Sequence, residues 1–209
     1  TKGKEKILDV FFSDPFHEFY PQEVSKLSKS PYGRTHQYLN EFLKEDYFEF
    51  RRAGNMTFFR LKIENPIVLK IMELYEARRT EQFFKRNAKF KRALTQFTES
   101  LIAASHFEIH LIGLYGSLAR GEWTSKSDID ILLVHSDKMT KNELNEYVKQ
   151  ASASIEGLYQ LSHVALTISD FAETMREKKP FFQNFFQDRI ILFNEFIFWH
   201  LFKKFWVKP

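Results

Sequence analysis

The spacing of hydrophobic positions in the first 65 residues predicts three helices followed by a β-hairpin. Apolar side chains recur at helical spacing from Lys4 to Phe12, and Pro21 suits the first turn of a second helix. A third helix is predicted from Arg34 to Lys44, with apolar residues on one side and polar residues on the other. Two segments of alternating polarity then flank Ala53-Gly54-Asn55, a pattern typical of a β-hairpin.

The second half of the chain alternates between apolar strands and amphipathic helices. Glu108 to Tyr115 and Ile131 to Val134 are apolar runs of the kind found in buried strands. The apolar segment from Ile190 to Val207 is interrupted by charged residues, and it predicts a terminal helix that packs against the core or a partner. The remaining predicted elements are a helix from Asn142 to Leu158, a strand from Ser162 to Ile168, helices between Phe171 and Arg189, and a helix from Phe196 to Phe205.

The composition excludes several classes of protein. The 209 residues are 44% hydrophobic and 28% charged, which is typical of a globular protein with one large or two small domains. Because the sequence has no cysteine, disulfides, cysteine-based zinc sites and thiol catalysis are excluded, and a reducing compartment is expected. No secretory leader and no apolar stretch of about 18 residues is evident, so we predict a cytoplasmic protein with no membrane partner.

The positive charge is concentrated in the middle of the chain. The net charge is +4, and between residues 78 and 92 the only acid is Glu81. Apolar residues from Phe83 to Leu101 recur at helical spacing, so the sequence predicts one amphipathic helix with a cationic outer side. This outer side either contacts phosphates or is only solvated. Its cations are Arg78, Arg79, Lys85, Arg86, Lys89, Lys91 and Arg92.

The order of elements from Lys4 to Leu61 resembles a winged helix-turn-helix domain. The resemblance implies that the polar side of the third helix faces the major groove of double-stranded DNA and that the hairpin forms a wing beside the backbone. The alternative is a winged helix used only for protein contact or for forming a homodimer. The predicted DNA-binding residues are Arg34, His36, Gln37 and Asn40 on the helix, and Arg51 and Arg52, with Asn55, on the wing.

A second motif lies where the first apolar strand of the second half ends. Gly116 permits a tight turn out of the strand, and Ser117 begins a predicted helix whose free N–H groups would attract phosphate. Asp128 and Asp130 precede and enter the next strand. Because residues two apart on a strand point the same way, both carboxylates can hold one divalent cation.

The string GSLARGEWTSKSDIDILLV, from Gly116 to Val134, resembles the signature of the DNA polymerase β-like nucleotidyltransferase superfamily, most closely its minimal nucleotidyltransferase branch. The resemblance implies that Gly116, Ser117 and Arg120 bind a nucleoside triphosphate. It also implies that Asp128 and Asp130 are catalytic and hold Mg²⁺ or Mn²⁺. Glu122 matches the motif as well and is expected to orient its neighbours.

The sequence departs from the family pattern at the third carboxylate. This acid is expected on a later strand, where the matching position falls near Ser162 or His163, and neither is a carboxylate. Asp170 is the nearest acid, but it lies where a helix N-cap is expected. His163 is either a base or a residue of the core. The departure leaves nucleotide binding intact and leaves catalysis open.

Together the two resemblances predict an α+β chain. Its parts are a winged helix-turn-helix domain (residues 1–65), connecting helices (66–105) and a small mixed β-sheet of nucleotidyltransferase type with flanking helices and a C-terminal helix (106–209). Two functions follow. One is transfer of a nucleoside monophosphate from Mg-NTP to a hydroxyl acceptor; resemblance to antitoxin members suggests a protein acceptor such as a HEPN-type toxin. The other is a DNA-binding transcriptional regulator whose degenerate nucleotidyltransferase domain senses nucleotide.

Overall fold

The computed structural model describes residues 2–153, 155 and 159–205. The chain divides into two compact units, Thr1–Tyr75 and Glu76–Pro209. None of the helices in the described part of the chain is both long and apolar enough to pass through a membrane.

The first unit contains three helices and a two-stranded antiparallel hairpin. Phe11 lies at the centre of its core, with its ring 5.0 Å from that of Phe19 and 4.4 Å from that of Phe48. Backbone hydrogen bonds between Phe19 and Phe59 fix the chain before α2 against the hairpin. The elements are α1 (Lys2–Ser13), α2 (Pro21–Leu27), α3 (Tyr32–Lys44), β1 (Phe48–Ala53), β2 (Met56–Leu61) and the start of α4 (Pro66–Arg86).

The hairpin turn forms at the residues where the sequence predicts it. Ala53 pairs with Met56, which leaves a two-residue turn of Gly54 and Asn55. Gly54 has a φ of +58°, a conformation that glycine adopts without the steric cost other residues meet. The observed order of three helices and a hairpin is the one predicted for a winged helix-turn-helix domain.

The second unit is built on a four-stranded sheet of order β5-β4-β3-β6, in which β4 and β5 are parallel and the other pairs are antiparallel. The predicted α+β class with a small mixed sheet is therefore confirmed. Besides the end of α4, the elements are α5 (Ala88–Ala104), β3 (Ile109–Tyr115), α6 (Gly116–Arg120), β4 (Ile129–His135), α7 (Lys141–Ser152), β5 (Leu161–Thr167), α8 (Ile168–Arg176), α9 (Pro180–Asp188), β6 (Ile190–Phe193) and α10 (Glu195–Phe205).

The two faces of this sheet are covered by different helices. Ile129, Ile131 and Leu133 point into a buried cluster with α5 and α7. The alternate residues of β4 point the other way, toward α8, and α9 packs against β3. On that second face α9 approaches so closely that a Cβ on Gly113 would lie 2.6 Å from the Phe185 ring.

Three predicted elements differ from the structure. Ile190–Phe193 forms β6 rather than the start of a terminal helix, because these residues pair with β3 and Asn194 turns the chain at a φ of +73°. Residues 206 and 207 of that predicted helix lie outside the described residues. The helix predicted from Asn142 to Leu158 is α7, which spans Lys141–Ser152, and residues 154 and 156–158 also lie outside.

The single cationic helix is also wrong, because α4 and α5 are separate helices. Asn87 breaks the helical path with φ −124° and ψ 46°. Its side-chain Nδ2 and its backbone N–H both donate to the Phe83 carbonyl, at 3.1 and 2.9 Å. An asparagine side chain competes in this way with regular helix hydrogen bonds, which favours a break.

Candidate functional site

The turn from β3 into α6 brings backbone and carboxylate into close contact. Gly116 has a φ of +74°, and a Cβ at this position would lie 2.3 Å from Oδ2 of Asp130. Both the backbone conformation and the space therefore require glycine. The carboxylate of Asp130 packs directly on the turn predicted to bind phosphate.

Helix α6 is a short segment of five residues. Gly121 ends it in the left-handed conformation, and the Glu122 N–H donates to the Ser117 carbonyl at 2.8 Å. A helix this short has a small dipole, so any affinity for phosphate must come mainly from turn N–H groups and charged side chains. Ser117 is half-buried at the start of this helix.

The two aspartates lie where the sheet meets this turn. Asp128 is exposed directly before β4, and Asp130 is half-buried as the second residue of that strand. Asp130 pairs with Tyr115 of β3 on one side and with Ser162 of β5 on the other. The turn at Gly116, Tyr115 and the two carboxylates therefore form one site at this end of the sheet.

The electrostatics of the site favour a bound cation. Burial raises the pKa of Asp130, and the negative charge of Asp128 raises it further, whereas the charge of Arg120 lowers it. Burial and the charge of Asp130 likewise raise the pKa of Tyr115. A divalent cation would relieve the repulsion between the carboxylates, and hard oxygen donors are the ligands Mg²⁺ prefers.

The donor set fits one cation shared with phosphate oxygens. In the described part of the chain, no cluster of three or more His, Cys, Asp or Glu residues is arranged to hold a metal. Two carboxylates from Asp128 and Asp130 would therefore supply the side-chain ligands, with ligand phosphate and water completing the shell.

Arg120 is held beside the site by two carboxylates. Its Nε donates to Oε2 of Glu122 at 2.8 Å, and its Nη1 donates to Oδ2 of Asp188 at 2.5 Å. Asp188 is the last residue of α9, and its side chain is 13% exposed. Asp188 could not be predicted from the sequence, because no local signal links residues 68 positions apart.

The position opposite Asp130 on the neighbouring strand carries no acid. Ser162 is its register partner on β5, and His163 pairs with Ile131. Because alternate residues of a strand face opposite sides, His163 lies on the face covered by α5 and α7, away from Asp130. Burial lowers the pKa of His163. This geometry does not support His163 as a base for chemistry at Asp130.

Asp170 also lies outside this arrangement. It is in the first turn of α8, and its N–H donates to Oγ1 of Thr167 at 3.0 Å. The N-cap is thus Thr167, and a carboxylate in the first helical turn is favoured by the helix dipole.

The first unit presents the predicted polar face of α3. Arg34, His36 and Gln37 are exposed, and Asn40 is half-buried. These side chains bond along the helix: Asn40 Nδ2 lies 3.1 Å from His36 Nδ1, Arg34 Nη1 donates to Gln37 at 3.4 Å, and Gln37 donates to Glu41 at 2.9 Å. The face is therefore polar and nearly neutral in net charge.

The wing residues differ in their freedom to bind phosphate. Arg51 donates from Nε and Nη2 to one carboxylate oxygen of Glu18, at 2.9 and 2.6 Å. Arg52 is exposed and lies over the ring of Phe50, 5.9 Å from its centroid. Asn55 is exposed at the hairpin turn. Arg51 is therefore paired with a carboxylate, whereas Arg52 has no carboxylate partner in the described part of the chain.

The second unit is similar to a known family of enzymes. Residues 100–195 match the family model described as polymerase beta, nucleotidyltransferase. This segment runs from within α5 to the start of α10 and contains the whole four-stranded sheet. No curated relative matches the chain significantly.

Two solved structures show weaker likeness. One, from Sulfolobus solfataricus and provisionally assigned as a nucleotidyltransferase, is 20% identical, with 57% of this chain and 86% of that chain covered and a TM-score of 0.33. The other is TrmBL2, an archaeal chromatin protein, at 15% identity, with 78% and 68% covered and a TM-score of 0.23. At these TM-scores neither likeness decides the fold or the function of this chain.

Proposed function

We propose that this chain, whose residues 100–195 form a nucleotidyltransferase domain of the polymerase β type, transfers a nucleoside monophosphate from a nucleoside triphosphate to a hydroxyl acceptor. The observation that carries the proposal is the contact between Asp130 and the Gly116 turn, with Asp128 beside it. This arrangement places a cation-binding carboxylate pair against the backbone that would hold the triphosphate.

Each residue of the site has a distinct role in this reaction. The turn at Gly116 and Ser117 binds the phosphates, and Arg120, oriented by Glu122 and Asp188, contributes positive charge beside them. Asp128 and Asp130 would hold a divalent cation, which draws negative charge from the α-phosphate and the leaving pyrophosphate. The acceptor oxygen forms its bond to the α-phosphorus, the bond to the β-phosphate oxygen breaks, and the acceptor proton passes to water.

The site has no carboxylate at the position expected to take the proton of the acceptor hydroxyl. Ser162 lies opposite Asp130 where a third acid would take part in activating the hydroxyl. Without that base, transfer depends on positioning and on electrostatic stabilisation of the transition state. We therefore expect a slow transferase, or one that uses an acceptor hydroxyl already activated by its own surroundings.

Transfer is tested by incubating the full chain with each α-labelled nucleoside triphosphate, Mg²⁺ or Mn²⁺, and separate pools of protein and RNA. Label on an acceptor should disappear in Asp130→Asn and persist in Glu146→Gln, which removes an exposed carboxylate from α7. Full activity of Asp130→Asn would remove the carboxylate pair from the mechanism. The pool that takes label decides whether the acceptor is a protein, such as a HEPN-type toxin.

The second candidate function is a DNA-binding regulator that senses nucleotide without transferring it. Two observations favour it: Ser162 at the place of the third acid, and the exposed polar face of α3. This function requires saturable nucleotide binding with no labelled acceptor in any pool. It also requires duplex DNA binding that changes when nucleotide is added, since linkage between the two sites is reciprocal.

Both candidate functions include binding of DNA by the first unit. Arg34→Ala and Arg52→Ala should each weaken binding to duplex DNA, and the affinity should fall steeply as salt rises. Arg51→Ala should have a smaller effect, because Glu18 already neutralises that side chain. Equal losses in Arg51→Ala and Arg52→Ala would contradict this assignment of the wing. Formation of a homodimer and a cytoplasmic location remain predictions.

A further inference from the structure

The helices on either side of Asn87 carry a group of exposed cations in the second unit. We call this group the cationic surface and define it by six exposed side chains. Arg79 is excluded, because it is half-buried and donates from Nη2 to the Gln187 carbonyl at 2.8 Å. The cationic surface consists of Arg78, Lys85 and Arg86 on α4 and Lys89, Lys91 and Arg92 on α5.

The cations of the two helices lie close together. On α4 the three are spaced i, i+7 and i+8, which places them on one side of the helix. Glu81 pairs with Lys85 at 2.7 Å, and this hydrogen bond is the main reason that the pKa of Glu81 is lowered. The charges of Lys91 and Arg78 lower it further. One carboxylate thus lies among cations from both sides of the break.

The stability of the fold does not explain this charge. The first turn of α5 contains Lys89 and Lys91 and no acid, and Arg92 follows directly. Positive charge at a helix N-terminus opposes the helix dipole, at a cost of roughly 0.3–1 kcal/mol for each residue. Within the described residues, Lys91 and Arg92 form no ion pair. The surface therefore concentrates like charges where the fold alone would favour acids.

We propose that the cationic surface binds the phosphate backbone of a nucleic acid. From Arg78 to Arg86 the helix rises about 12 Å at 1.5 Å per residue. Measured along the axis of a duplex, this length corresponds to roughly three to four nucleotides of one strand at about 3.4 Å each. A single triphosphate is too compact to contact cations distributed along both helices, whereas a strand can contact them in succession.

The polar character of residues 78–92 favours a nucleic acid over a membrane or a protein as the ligand. Helices that bind membranes place large apolar side chains beside their cations, and protein interfaces have an apolar centre. Among the described residues, no exposed large hydrophobic side chain lies between residues 78 and 92. Interfaces with nucleic acid are more polar and much more positively charged.

The cationic surface also lies beside the loop that leads to the carboxylate pair. Lys89 Nζ is 4.5 Å from the ring centroid of Trp123, which contacts Tyr159 at 6.1 Å. The next residue, Gln160, accepts a hydrogen bond from the Ile129 N–H at 2.8 Å. The cationic surface therefore adjoins the loop between α6 and β4 within the second unit.

The proposal is tested with the full chain by fluorescence anisotropy on labelled single-stranded RNA, single-stranded DNA and duplex DNA of about 20 nucleotides. The variant Arg86→Gln/Lys91→Gln/Arg92→Gln removes three cations of the surface. The matched control, Lys138→Gln/Lys141→Gln/Lys149→Gln, removes the same charge from exposed positions on and before α7. Arg34→Ala/Arg52→Ala separates binding by the first unit.

We expect the surface variant to bind at least one probe about tenfold or more weakly at 50 mM salt. The slope of log affinity against log salt should fall by about 2, at roughly 0.7 for each lost contact with a single strand. The control variant should keep the slope of the original chain. The probe that loses most affinity shows whether the ligand is single-stranded or duplex, and Arg34→Ala/Arg52→Ala should leave that loss unchanged.

An unchanged slope in the surface variant would overturn the proposal, as would an equal loss in the control. If the surface variant lost binding to anionic vesicles but kept its binding to nucleic acid, the surface would be assigned to a membrane instead. Circular dichroism checks that each variant is folded. If the first variant does not fold, Arg78→Gln/Lys85→Gln/Lys89→Gln tests the same surface by the same criteria.

Discussion

A buried ion pair joins α4 to the start of β6, and its removal should destabilise the second unit severely. Arg189 and Glu76 are both 0% exposed, although they lie 113 positions apart in the sequence. Nε and Nη2 of Arg189 donate to Oε1 of Glu76 at 3.0 and 2.6 Å, and Nη1 donates to the Phe186 carbonyl. The guanidinium also lies 4.0 Å from the centroid of the Phe186 ring.

The magnitude follows from what each substitution leaves behind. Glu76→Gln keeps an oxygen acceptor but leaves a buried guanidinium without its counter-charge, and Arg189→Met leaves a buried carboxylate without a donor. Breaking one side of a buried pair costs about 3–5 kcal/mol. Oε2 of Glu76 has no hydrogen-bond partner in the described structure, so the pair is incompletely satisfied. The double variant Glu76→Leu/Arg189→Met should therefore lie within about 1–2 kcal/mol of the original chain.

The assay is urea unfolding followed by circular dichroism and tryptophan fluorescence. Trp199 is a suitable reporter, because its ring centroid is 5.3 Å from the Arg189 guanidinium. Glu76→Leu, Arg189→Met and the double variant form a double-mutant cycle, with an expected coupling of at least about 2 kcal/mol. Glu81→Gln is the control, since it breaks an exposed pair on the same helix and should cost under about 0.5 kcal/mol.

A coupling energy near zero would refute this reasoning, because it would mean that the two charges do not depend on each other. A loss in Glu76→Gln no larger than in Glu81→Gln would also refute it. A related effect is expected at the candidate site. Arg189 directly follows Asp188, which holds Arg120, so Glu76→Gln should weaken nucleotide binding more than Glu81→Gln does.

Three further predictions concern the carboxylate pair. Gly116→Ala should reduce stability by about 1–3 kcal/mol and weaken Mg²⁺-dependent nucleotide binding. The control Gly121→Ala is also at positive φ but has open space around it, so it should affect only stability. Equal nucleotide binding by the two variants in calorimetry would contradict this. The pKa of Asp130 is raised in the folded state, so its ionised form destabilises the fold, fully so above the raised pKa. Asp130→Asn should therefore raise the melting temperature at pH 7, and this advantage should shrink as the pH falls through the raised pKa and be gone below the ordinary value of 3.8. An advantage independent of pH would count against a charge effect. Ser162→Asp should lower the melting temperature without metal and should be stabilised by Mg²⁺ more than the original chain is. His163→Asp, on the opposite face of the sheet, should not show this larger stabilisation by Mg²⁺. An equal Mg²⁺ response in the two variants would show that position 162 does not face the site.

Several features of this protein were predictable because the information for them is local. Helical and strand periodicity gives the three helices, the hairpin and most strands of the mixed sheet within a few residues of their observed ends. Gly116 and the Asp128-Ile129-Asp130 spacing are equally local, since a turn at positive φ and a strand period of two are properties of consecutive residues. The nucleotidyltransferase resemblance depends on this same short string, and the family match confirms it.

Tertiary structure decided what depends on residues far apart in the chain. Ile190–Phe193 is a strand because β3 offers an edge to pair with, although its apolar sequence also suits a helix. Ser162 became significant only through its register with Asp130, and Arg120 gained Asp188 as a partner across 68 positions. The pairing of Glu76 with Arg189 has no sequence signal at all. Periodicity specifies which face of an element is buried, whereas packing and strand register select the partner on that face, and those contacts place the charges of the candidate site.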